Sequence, residues 1–296
     1  MTPTPFPPLS RDRVIAILEA MVGRRVVVVG DVMLDRYLLG DTDRLSPEAP
    51  VPVVSVRTQR SALGGAANVA ANVAAIGAVA LLAGVVGDDQ HADLIRAELA
   101  AKRLDDRFLL RAADRPTTTK TRVLARGQQV VRIDEELDTP LDSNDLARIW
   151  ATVDAMLASA DALVLEDYNK GALAPALIRD AIAAARRRAI PVVVDPKYKN
   201  FFDYRGATVF KPNRRELEAA LGAGVDLTRD PHALVAARQK LDVENLLVTM
   251  GAEGMALVTT SGQRLHLPTR AREVYDVSGA GDTVTAWVAT ALSAGA

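Results

Sequence analysis

The stretch DVSGAGDTVTAW, residues 276–287, places two glycines directly before a carboxylate. A helix that begins near Asp282 would leave backbone N–H groups free at its start, and these groups, together with the helix dipole, favour a bound anion. Gly279 and Gly281, with Ala280 between them, would allow a phosphate to approach the backbone without a Cβ clash. This arrangement suits phosphoryl transfer, in which the N–H groups stabilise charge on the transferred group.

Asp282 needs an explanation of its own, because a carboxylate inside an anion site would repel a resident phosphate. It could accept the proton of a hydroxyl group that attacks the phosphate, which is general-base catalysis. Alternatively it could cap the helix, since Asp is a favoured N-cap residue. The residue types alone leave both interpretations open.

Two other classes of glycine motif do not fit the sequence. A Walker loop requires G-x-x-x-x-G-K-[ST], and this string does not occur. A dinucleotide fingerprint requires a third glycine where Val284 stands, and an acidic residue about twenty positions further on, which the sequence does not contain. A dinucleotide-dependent oxidoreductase is therefore disfavoured.

The composition excludes several further classes of protein. The 296 residues, 49% apolar and 25% charged, are typical of a soluble globular protein with one large core. A net charge of −1 provides no bulk attraction to nucleic acid or to an anionic membrane, and neither is expected as a partner. The sequence has no cysteine, which excludes disulfides, thiolate metal sites and cysteine nucleophiles. The start, MTPTPFPPLS, lacks the features of a signal peptide, so a cytoplasmic location is expected.

One uncharged segment, residues 61–87, is long enough to be considered as a membrane span. It is mostly alanine, contains two asparagines and is interrupted by Gly77 and Gly84. A helix over residues 66–76, followed by a buried strand over 78–86, fits these features better.

The elements that must position the glycine turn alternate between strands and helices. After a helix that Ser10 can cap and Gly23 can end, RRVVVVGD reads as a strand that is apolar on both faces. The same pattern recurs at residues 161–168, 190–196, 207–213 and 245–251. Helical stretches rich in alanine and arginine separate these strands. The alternation predicts an α/β fold, a doubly wound and mostly parallel sheet flanked by helices, with ligands at the carboxyl ends of its strands.

Two segments, at about residues 36–58 and 117–136, break this alternation. Polar and apolar residues alternate along them, which is typical of half-exposed antiparallel strands. We expect a small antiparallel sheet that serves as a lid over the site, as a dimer surface, or as both. A pair of simple surface hairpins is the alternative.

Four motifs resemble a known family, the ribokinase-like or pfkB-type carbohydrate kinases. DVSGAGD, residues 276–282, is similar to the family's C-terminal signature, and GGAANVAANVAAIGA, residues 64–78, to its N-terminal signature. NRRE, residues 213–216, resembles the N-x-x-E motif, and VTMGAEG, residues 248–254, the nucleotide loop. The order and spread of the motifs imply one ribokinase-like domain over residues 1–296.

Finer features resemble one branch of that family, the D-glycero-β-D-manno-heptose-7-phosphate 1-kinases. They are GDVMLDRY, RLSPEAPVPVV, TTTKTRVLARGQQVVRID and EVYDVSGAGDTV. The resemblance implies ATP-dependent phosphorylation of the anomeric C1 hydroxyl of heptose 7-phosphate, a step toward ADP-heptose and the lipopolysaccharide core. Family members continue after the glycine motif with further C-terminal helices, which this sequence does not include. The alternatives are a kinase for another sugar or sugar phosphate, and a non-catalytic sugar-binding protein on the same scaffold.

The resemblance implies a catalytic residue and a nucleotide site. Asp282 would deprotonate the anomeric hydroxyl, and the glycine turn before it would form the anion hole. Asn213 and Glu216 would organise Mg²⁺ and the ATP phosphates, Glu216 through water, as suits a cation that prefers oxygen ligands and retains waters. Thr249 and Gly251 would line the phosphates or the ribose of ATP.

The resemblance also implies a sugar-phosphate site. The expected substrate-binding residues are Asp31, Asp35, Gly64, Gly65, Asn68 and Asp167. The sugar's phosphate needs cations, and the candidates are Lys120, Arg122, Arg126, Arg132 and Lys197. Any one of these cations could instead be part of a solvated strand face.

A monovalent cation and a second copy of the chain complete the expected partners. Asp276 and Ser278 lie where relatives can hold a monovalent cation, which makes K⁺ a candidate cofactor beside ATP and Mg²⁺. The predicted lid strands suggest a homodimer through exposed sheet edges.

Overall fold

The computed structural model describes residues 9–224, 232–269 and 279–296, together with the backbone of residues 4–5. Its strands form two sheets, one of ten strands and one of four. The strands of the larger sheet are β1 (Thr4–Pro5), β2 (Arg25–Gly30), β5 (Val79–Gly87), β6 (Leu109–Ala112), β9 (Ala162–Glu166), β10 (Val192–Asp195), β11 (Val209–Phe210), β12 (Asn245–Thr249), β13 (Met255–Val258) and β14 (Arg264–Leu267). The strands of the smaller sheet are β3 (Val32–Leu45), β4 (Pro52–Gly65), β7 (Thr119–Ala125) and β8 (Gln128–Glu135). The helices are α1 (Arg11–Met21), α2 (Ala66–Ala75), α3 (Gln90–Ala101), α4 (Ser143–Leu157), α5 (Pro175–Arg187), α6 (Arg214–Leu221), α7 (Ala233–Leu241) and α8 (Ala280–Ser293).

The larger sheet is mostly parallel, as predicted. Its spatial order is β1-β14-β13-β12-β11-β10-β9-β2-β5-β6. Within the described residues, only the β12–β13 and β13–β14 pairs are antiparallel. Parallel pairing from β12 to β6 follows from the crossovers that connect these strands, most of which include a helix, since a crossover returns the chain to the same end of the sheet.

Two apolar layers cover the two faces of this sheet. Along β2, Val27 and Val29 pack with α4 and α5, whereas Val26 and Val28 pack with α2, α3 and α8. Successive side chains of a strand point to opposite faces, so a strand buried on both sides must be apolar throughout. The doubly wound α/β fold predicted from the valine-rich strands is confirmed.

The smaller sheet confirms that the two segments predicted at about residues 36–58 and 117–136 form strands, and it extends them inward. That this sheet is a lid over the site stays a prediction. β3 pairs antiparallel with β4, and β7 with β8, while β3 and β7 join the two hairpins through a parallel pairing. β3 begins at Val32, directly after β2, and its first three residues are buried. The lid therefore grows out of the central sheet, which the sequence pattern placed only from residue 36.

The uncharged segment at residues 61–87 contains the end of β4, then α2 and β5. The prediction of a helix followed by a buried strand is confirmed. Among the described residues, none of the helices combines the length and the apolar character that crossing a membrane would need.

One edge of the larger sheet gathers the ends of several parallel strands. The residues at or just after the carboxyl ends of β2, β9, β10, β11 and β12 include Asp31, Glu166, Asp195, Lys211 and Thr249. Helix α8 packs against α2 and against β9, β10 and β2. This packing brings the glycine turn to the same edge, where ligands of open α/β sheets bind.

Candidate active site

The start of α8 is a helix N-terminus that follows directly on the glycine turn. The N-cap is Gly279, with φ of 76°, and no described side chain caps the helix. The first bond of the helix runs from Thr283 N to the Gly279 carbonyl at 2.9 Å, so the N–H groups of Ala280, Gly281 and Asp282 precede the helical ladder. Asp282 is thus the third helical residue, not the N-cap, and the capping interpretation of its carboxylate is wrong.

The Asp282 carboxylate is buried and held from two sides. Asn68, on α2, donates from Nδ2 to Oδ2 at 2.6 Å, and the Tyr168 hydroxyl donates to Oδ1 at 3.0 Å. Burial raises the pKa of Asp282 above its ordinary value, while the hydrogen bond from Asn68 opposes that rise. A fixed, partly desolvated carboxylate has the orientation and the raised basicity that a general base requires.

A second group of charges lies behind this carboxylate. Glu166 and Asp195 are paired in register on β9 and β10, and the Lys211 Nζ lies 2.7 Å from Asp195 Oδ2. Carboxylate oxygens of Glu166, Asp195 and Asp282 lie within 4.8 Å of one another. Burial, and then the charge of Asp195, raise the pKa of Glu166 well above its usual range. Burial would lower the pKa of Lys211, but the charges of Asp195 and Glu166 raise it above its ordinary value.

Gly281 lies next to Lys211 and Asp195, with no side chain of its own between them and the anion site. A Cβ added at Gly281 would lie 3.5 Å from Lys211 Nζ and 3.7 Å from Asp195 Oδ2. The buried ammonium therefore lies next to the N–H groups at the start of α8. Together they provide positive charge where a phosphoryl group would be transferred.

Asn213 and Glu216 form the N-terminal cap of α6. The Asn213 side chain accepts from Glu216 N at 2.9 Å, and Glu216 Oε2 accepts from Asn213 N at 2.8 Å. Glu216 Oε1 forms an ion pair with Lys197, whose Nζ lies 5.0 Å from the centre of the Tyr168 ring. Burial would lower the pKa of Lys197, but the Glu216 charge outweighs it and raises that pKa. The N-x-x-E motif is thereby linked to the residues around Asp282.

Thr249 and Gly251 lie beside this cap. Thr249 N donates to the Pro212 carbonyl at 3.1 Å, and Thr249 forms a parallel bridge with Asn213. Gly251 follows with a φ of 59°, in the left-handed region that favours glycine. The structure brings together the residues that the resemblance gave to the nucleotide.

Asp31 holds the loop after β9. Its Oδ2 accepts from the N–H groups of Tyr168 at 2.7 Å and Lys170 at 3.0 Å, and its Oδ1 accepts from Ala172 N at 3.1 Å. Burial, with a smaller contribution from Asp167, raises the pKa of Asp31 to about 6. These contacts give Asp31 a positioning role for Tyr168, whereas the sequence prediction gave it a contact with the sugar.

Asp167 is also occupied by contacts within the protein. Its Oδ1 accepts from Asn169 N at 2.7 Å, and its Oδ2 accepts from Asn200 Nδ2 at 3.0 Å and from the Tyr204 hydroxyl at 2.7 Å. The side chain is buried. Its geometry supports a structural role in place of the predicted substrate contact.

Asp35, Gly64 and Gly65 meet where the two lid strands leave the central sheet. A Cβ at Gly64 would lie 2.8 Å from Asp35 Oδ2, so the carboxylate packs against bare backbone. Gly65 has a φ of 56° and is the N-cap of α2. Asp35 forms an ion pair with Arg122, whose guanidinium lies 5.4 Å from the centre of the Tyr37 ring. Asp35 and the two glycines therefore lie close to Asn68, and their contact with a sugar stays a prediction.

The lid cations predicted to bind phosphate are ion-paired. Lys120 contacts Asp134 at 3.3 Å and Glu136 at 2.8 Å, and Arg132 contacts Asp134 at 2.8 Å. Lys170, from the loop after β9, contacts the other oxygen of Glu136 at 2.8 Å. Arg126 is paired with Asp43.

A cleft of about 330 Å³ next to this network is lined by Glu136, Leu137, Asp138, Tyr168, Asn169, Lys170, Lys197 and Tyr198.

The predicted monovalent-cation residues, Asp276 and Ser278, lie outside the described residues. Sequence reasoning missed four residues close to Asp282, namely Glu166, Tyr168, Asp195 and Lys211. All four stand at or just after the carboxyl ends of parallel strands, in LVLEDY, VVVD and VFK. That position was the available signal, because parallel neighbours bring such ends together.

The chain matches the model of the pfkB family carbohydrate kinases over residues 24–296. It is 44% identical over 283 residues to the bifunctional protein HldE of Rhodospirillum rubrum, covering 95% of this chain and 57% of the relative. It is 51% identical over 272 residues to the bifunctional protein HldE of Pseudomonas syringae pv. syringae, covering 91% of this chain and 56% of the relative. The chain thus spans little more than half the length of these curated relatives.

Solved structures agree on the fold. The Arabidopsis thaliana ribokinase complexed with ribose and ATP superposes with a TM-score of 0.71 at 22% identity, over 93% of this chain and 87% of that one. The ribokinase-like architecture expected from the four motifs is confirmed. The chain belongs to the pfkB family of carbohydrate kinases.

Proposed function

We propose that the chain transfers the γ-phosphoryl group of ATP to the anomeric C1 hydroxyl of D-glycero-β-D-manno-heptose 7-phosphate. The products would be ADP and the 1,7-bisphosphate, a precursor of ADP-heptose for the lipopolysaccharide core. The heptose assignment is supported by the four branch-specific sequence features and by the identity to proteins named bifunctional protein HldE. One observation carries the chemistry: the Asp282 carboxylate, held by Asn68 and Tyr168, lies in the first turn of α8, which no described side chain caps.

Asp282 acts as the general base in this proposal. Its carboxylate accepts the proton of the C1 hydroxyl as the hydroxyl oxygen attacks the γ-phosphorus. The new O–P bond forms while the bond between the γ-phosphorus and the bridging oxygen of ADP breaks. The N–H groups of Ala280, Gly281 and Asp282, with the Lys211 ammonium, stabilise the charge on the transferred phosphoryl group.

ATP would approach from the side of β12 and α6. Thr249, Gly251 and Asn213 lie together there and would contact the nucleotide. Glu216 supplies the hard oxygen donors that Mg²⁺ prefers, and because its oxygens already accept from Asn213 N and pair with Lys197, contact through water fits best. When bound, Mg²⁺ would neutralise charge on the ATP phosphates.

The sugar phosphate would occupy the region between Asp35 and Tyr168. Its hydroxyls would meet Asp35 and Asn68, and its 7-phosphate would reach the cleft that Lys170 and Lys197 help to line. Cleft volumes of about 300 Å³ and above are usual for sites of this kind. Lys120 and Lys170 both pair with Glu136, which lines the cleft.

The exposed face of the lid would also pair two copies of the chain. Every residue of β8 is exposed, including Val130, Val131 and Ile133 at 42%, 46% and 49%. Apolar residues on an exposed strand favour association with a second sheet. Light scattering coupled to gel filtration should give a dimer, and Ile133→Asp should give a monomer. A monomeric wild-type chain would refute the dimer without affecting the kinase proposal.

The acceptor is tested by measuring ADP release with ATP, Mg²⁺ and a panel of sugars. We expect turnover with heptose 7-phosphate, and phosphorus NMR should locate the new phosphate at C1. Equal turnover with ribose or fructose would remove the heptose assignment and leave a carbohydrate kinase. Without turnover on any sugar, the kinase assignment for this chain would fail.

A further inference from the structure

Glu166 is a buried carboxylate for which the proposed phosphoryl transfer has no use. Its side chain is fully buried at the end of β9, and neither Oε1 nor Oε2 has a hydrogen-bond partner among the described residues. Burying an ionised carboxylate without a partner is costly, so natural proteins pair such groups or use them to coordinate metals. Glu166 therefore needs a partner that the described residues do not provide.

The neighbours of Glu166 make this place strongly negative. Glu166 and Asp195 are register partners on adjacent strands, so their side chains lie on the same face of the sheet, and Asp282 approaches from α8 on that face. Lys211 contributes one ammonium group, which contacts Asp195. When all three carboxylates are ionised, this one ammonium leaves two negative charges uncompensated. A single divalent cation would balance them.

We propose that Glu166, Asp195 and Asp282 form a binding site for a divalent cation of the hard, oxygen-preferring class, such as Mg²⁺ or Mn²⁺. The three carboxylates each place an oxygen within 4.8 Å of the others. Opposite ligands of an octahedral Mg²⁺ are about 4.2 Å apart, so a small side-chain movement or one retained water closes the difference. Glu166 and Asp195 are the direct ligands, and water between the cation and Asp282 leaves that carboxylate able to accept a proton.

This site is separate from the N-x-x-E residues to which the resemblance gave Mg²⁺. Glu216 already accepts from Asn213 N and pairs with Lys197, whereas both oxygens of Glu166 have no partner among the described residues. The Glu166 site needs no nucleotide, because its donors come from β9, β10 and α8 of the apo chain. It therefore makes a prediction that does not depend on the identity of the sugar.

Nucleotide-free binding of Mn²⁺, followed by electron paramagnetic resonance, tests the site directly. We expect about one Mn²⁺ bound per wild-type chain, Mg²⁺ to displace it, and the chain to melt at a higher temperature with the cation present. Glu166→Gln should weaken Mn²⁺ binding at least ten-fold, and Asp195→Asn should do the same. Glu216→Gln should leave nucleotide-free binding unchanged, as should Glu19→Gln on the exposed side of α1.

Two results would overturn the proposal. The first is a wild-type chain that binds no Mn²⁺ without nucleotide and gains no thermal stability from it, which needs no variant to fold. The second is binding that Glu216→Gln abolishes and Glu166→Gln preserves. If the chain phosphorylates the heptose but fails the Mn²⁺ test, only this inference is refuted. If it binds Mn²⁺ but phosphorylates no sugar, only the proposed function is refuted.

Discussion

Replacing Gly281 by alanine should reduce catalysis at the anion site and leave the stability of the fold unchanged or slightly higher. Gly281 lies in the first turn of α8, outside the left-handed region, and its added methyl would lie 3.5 Å from Lys211 Nζ and 3.7 Å from Asp195 Oδ2. These are ordinary van der Waals distances, so nothing has to move. Since alanine is a better helix former than glycine, the free energy of unfolding should stay constant or rise by up to about 1 kcal/mol.

The same methyl group should strongly reduce catalysis. A phosphoryl oxygen that accepts from an N–H group must approach to about 2.9 Å, and the methyl fills the space between the α8 N–H groups and Lys211 through which it would come. Loss of one oxyanion-hole donor lowers kcat by about 10²–10³, equivalent to about 3–4 kcal/mol of transition-state stabilisation. We expect a loss of that size in kcat.

The assay compares kcat with urea unfolding for Gly281→Ala and a matched control, Gly224→Ala. Gly224 also has a φ outside the left-handed region, and an added Cβ there meets no atom of the described residues within 4 Å. The control should keep wild-type turnover. If Gly281→Ala folded normally and turned over at the wild-type rate, phosphoryl transfer would not take place at the start of α8.

Three further predictions test the groups around Asp282. Tyr168→Phe removes the hydroxyl that donates to Asp282 at 3.0 Å. Because that hydrogen bond lowers the pKa of Asp282, the acidic limb of the kcat–pH profile should move to higher pH in the variant. An unmoved limb would show that Tyr168 does not influence the catalytic carboxylate. Burial raises the pKa of Asp31 from 3.8 to about 6, so its favourable contribution to stability is present below pH 3.8 and is lost as the pH rises to about 6. At about 1.4 kcal/mol per pH unit, the free energy of unfolding of the wild type should fall relative to that of Asp31→Asn by about 3 kcal/mol across this window. Urea titrations at several pH values test this, and parallel pH curves for the two proteins would refute it. Lys211→Met should lower the free energy of unfolding by about 3–5 kcal/mol, because it leaves buried carboxylates uncompensated. The control Lys102→Met, at an exposed position, should leave the free energy of unfolding almost unchanged. Equal stability of the two variants would show that Lys211 does not compensate the charges of Glu166, Asp195 and Asp282.

The fold could be predicted from the sequence because its signals are local and repeated. Strands that are apolar on both faces, such as RVVVVG in β2, can only be buried between helices, and their alternation with helices fixes a parallel sheet. The junction of β2 and β3 was harder to place. Val32, Met33 and Leu34 are apolar and buried like the strand before them, so the pattern does not mark where the chain passes from one sheet to the other.

The candidate site could be predicted only in part, because its contacts join distant segments. The glycine turn and Asp282 are neighbours in sequence, whereas Asn68 reaches Asp282 from 214 residues away. Asp31 and Asp167 have the residue type of a sugar ligand, and only their hydrogen bonds show that the protein itself occupies them. Lys211 lies within the stretch 207–213 predicted as a strand, but the observed strand, Val209–Phe210, ends directly before it, so the pattern does not mark Lys211 as a strand-end residue.

Asp282→Asn tests the central claim most directly, with ATP affinity and single-turnover rate measured on the same protein. The substitution keeps the shape of the side chain and removes its ability to take up a proton. If Asp282 is the general base, ATP should bind as tightly as to the wild type and the single-turnover rate should fall by about two to four orders of magnitude. A near-normal rate with normal ATP affinity would contradict the account, because the acceptor would then lose its proton elsewhere.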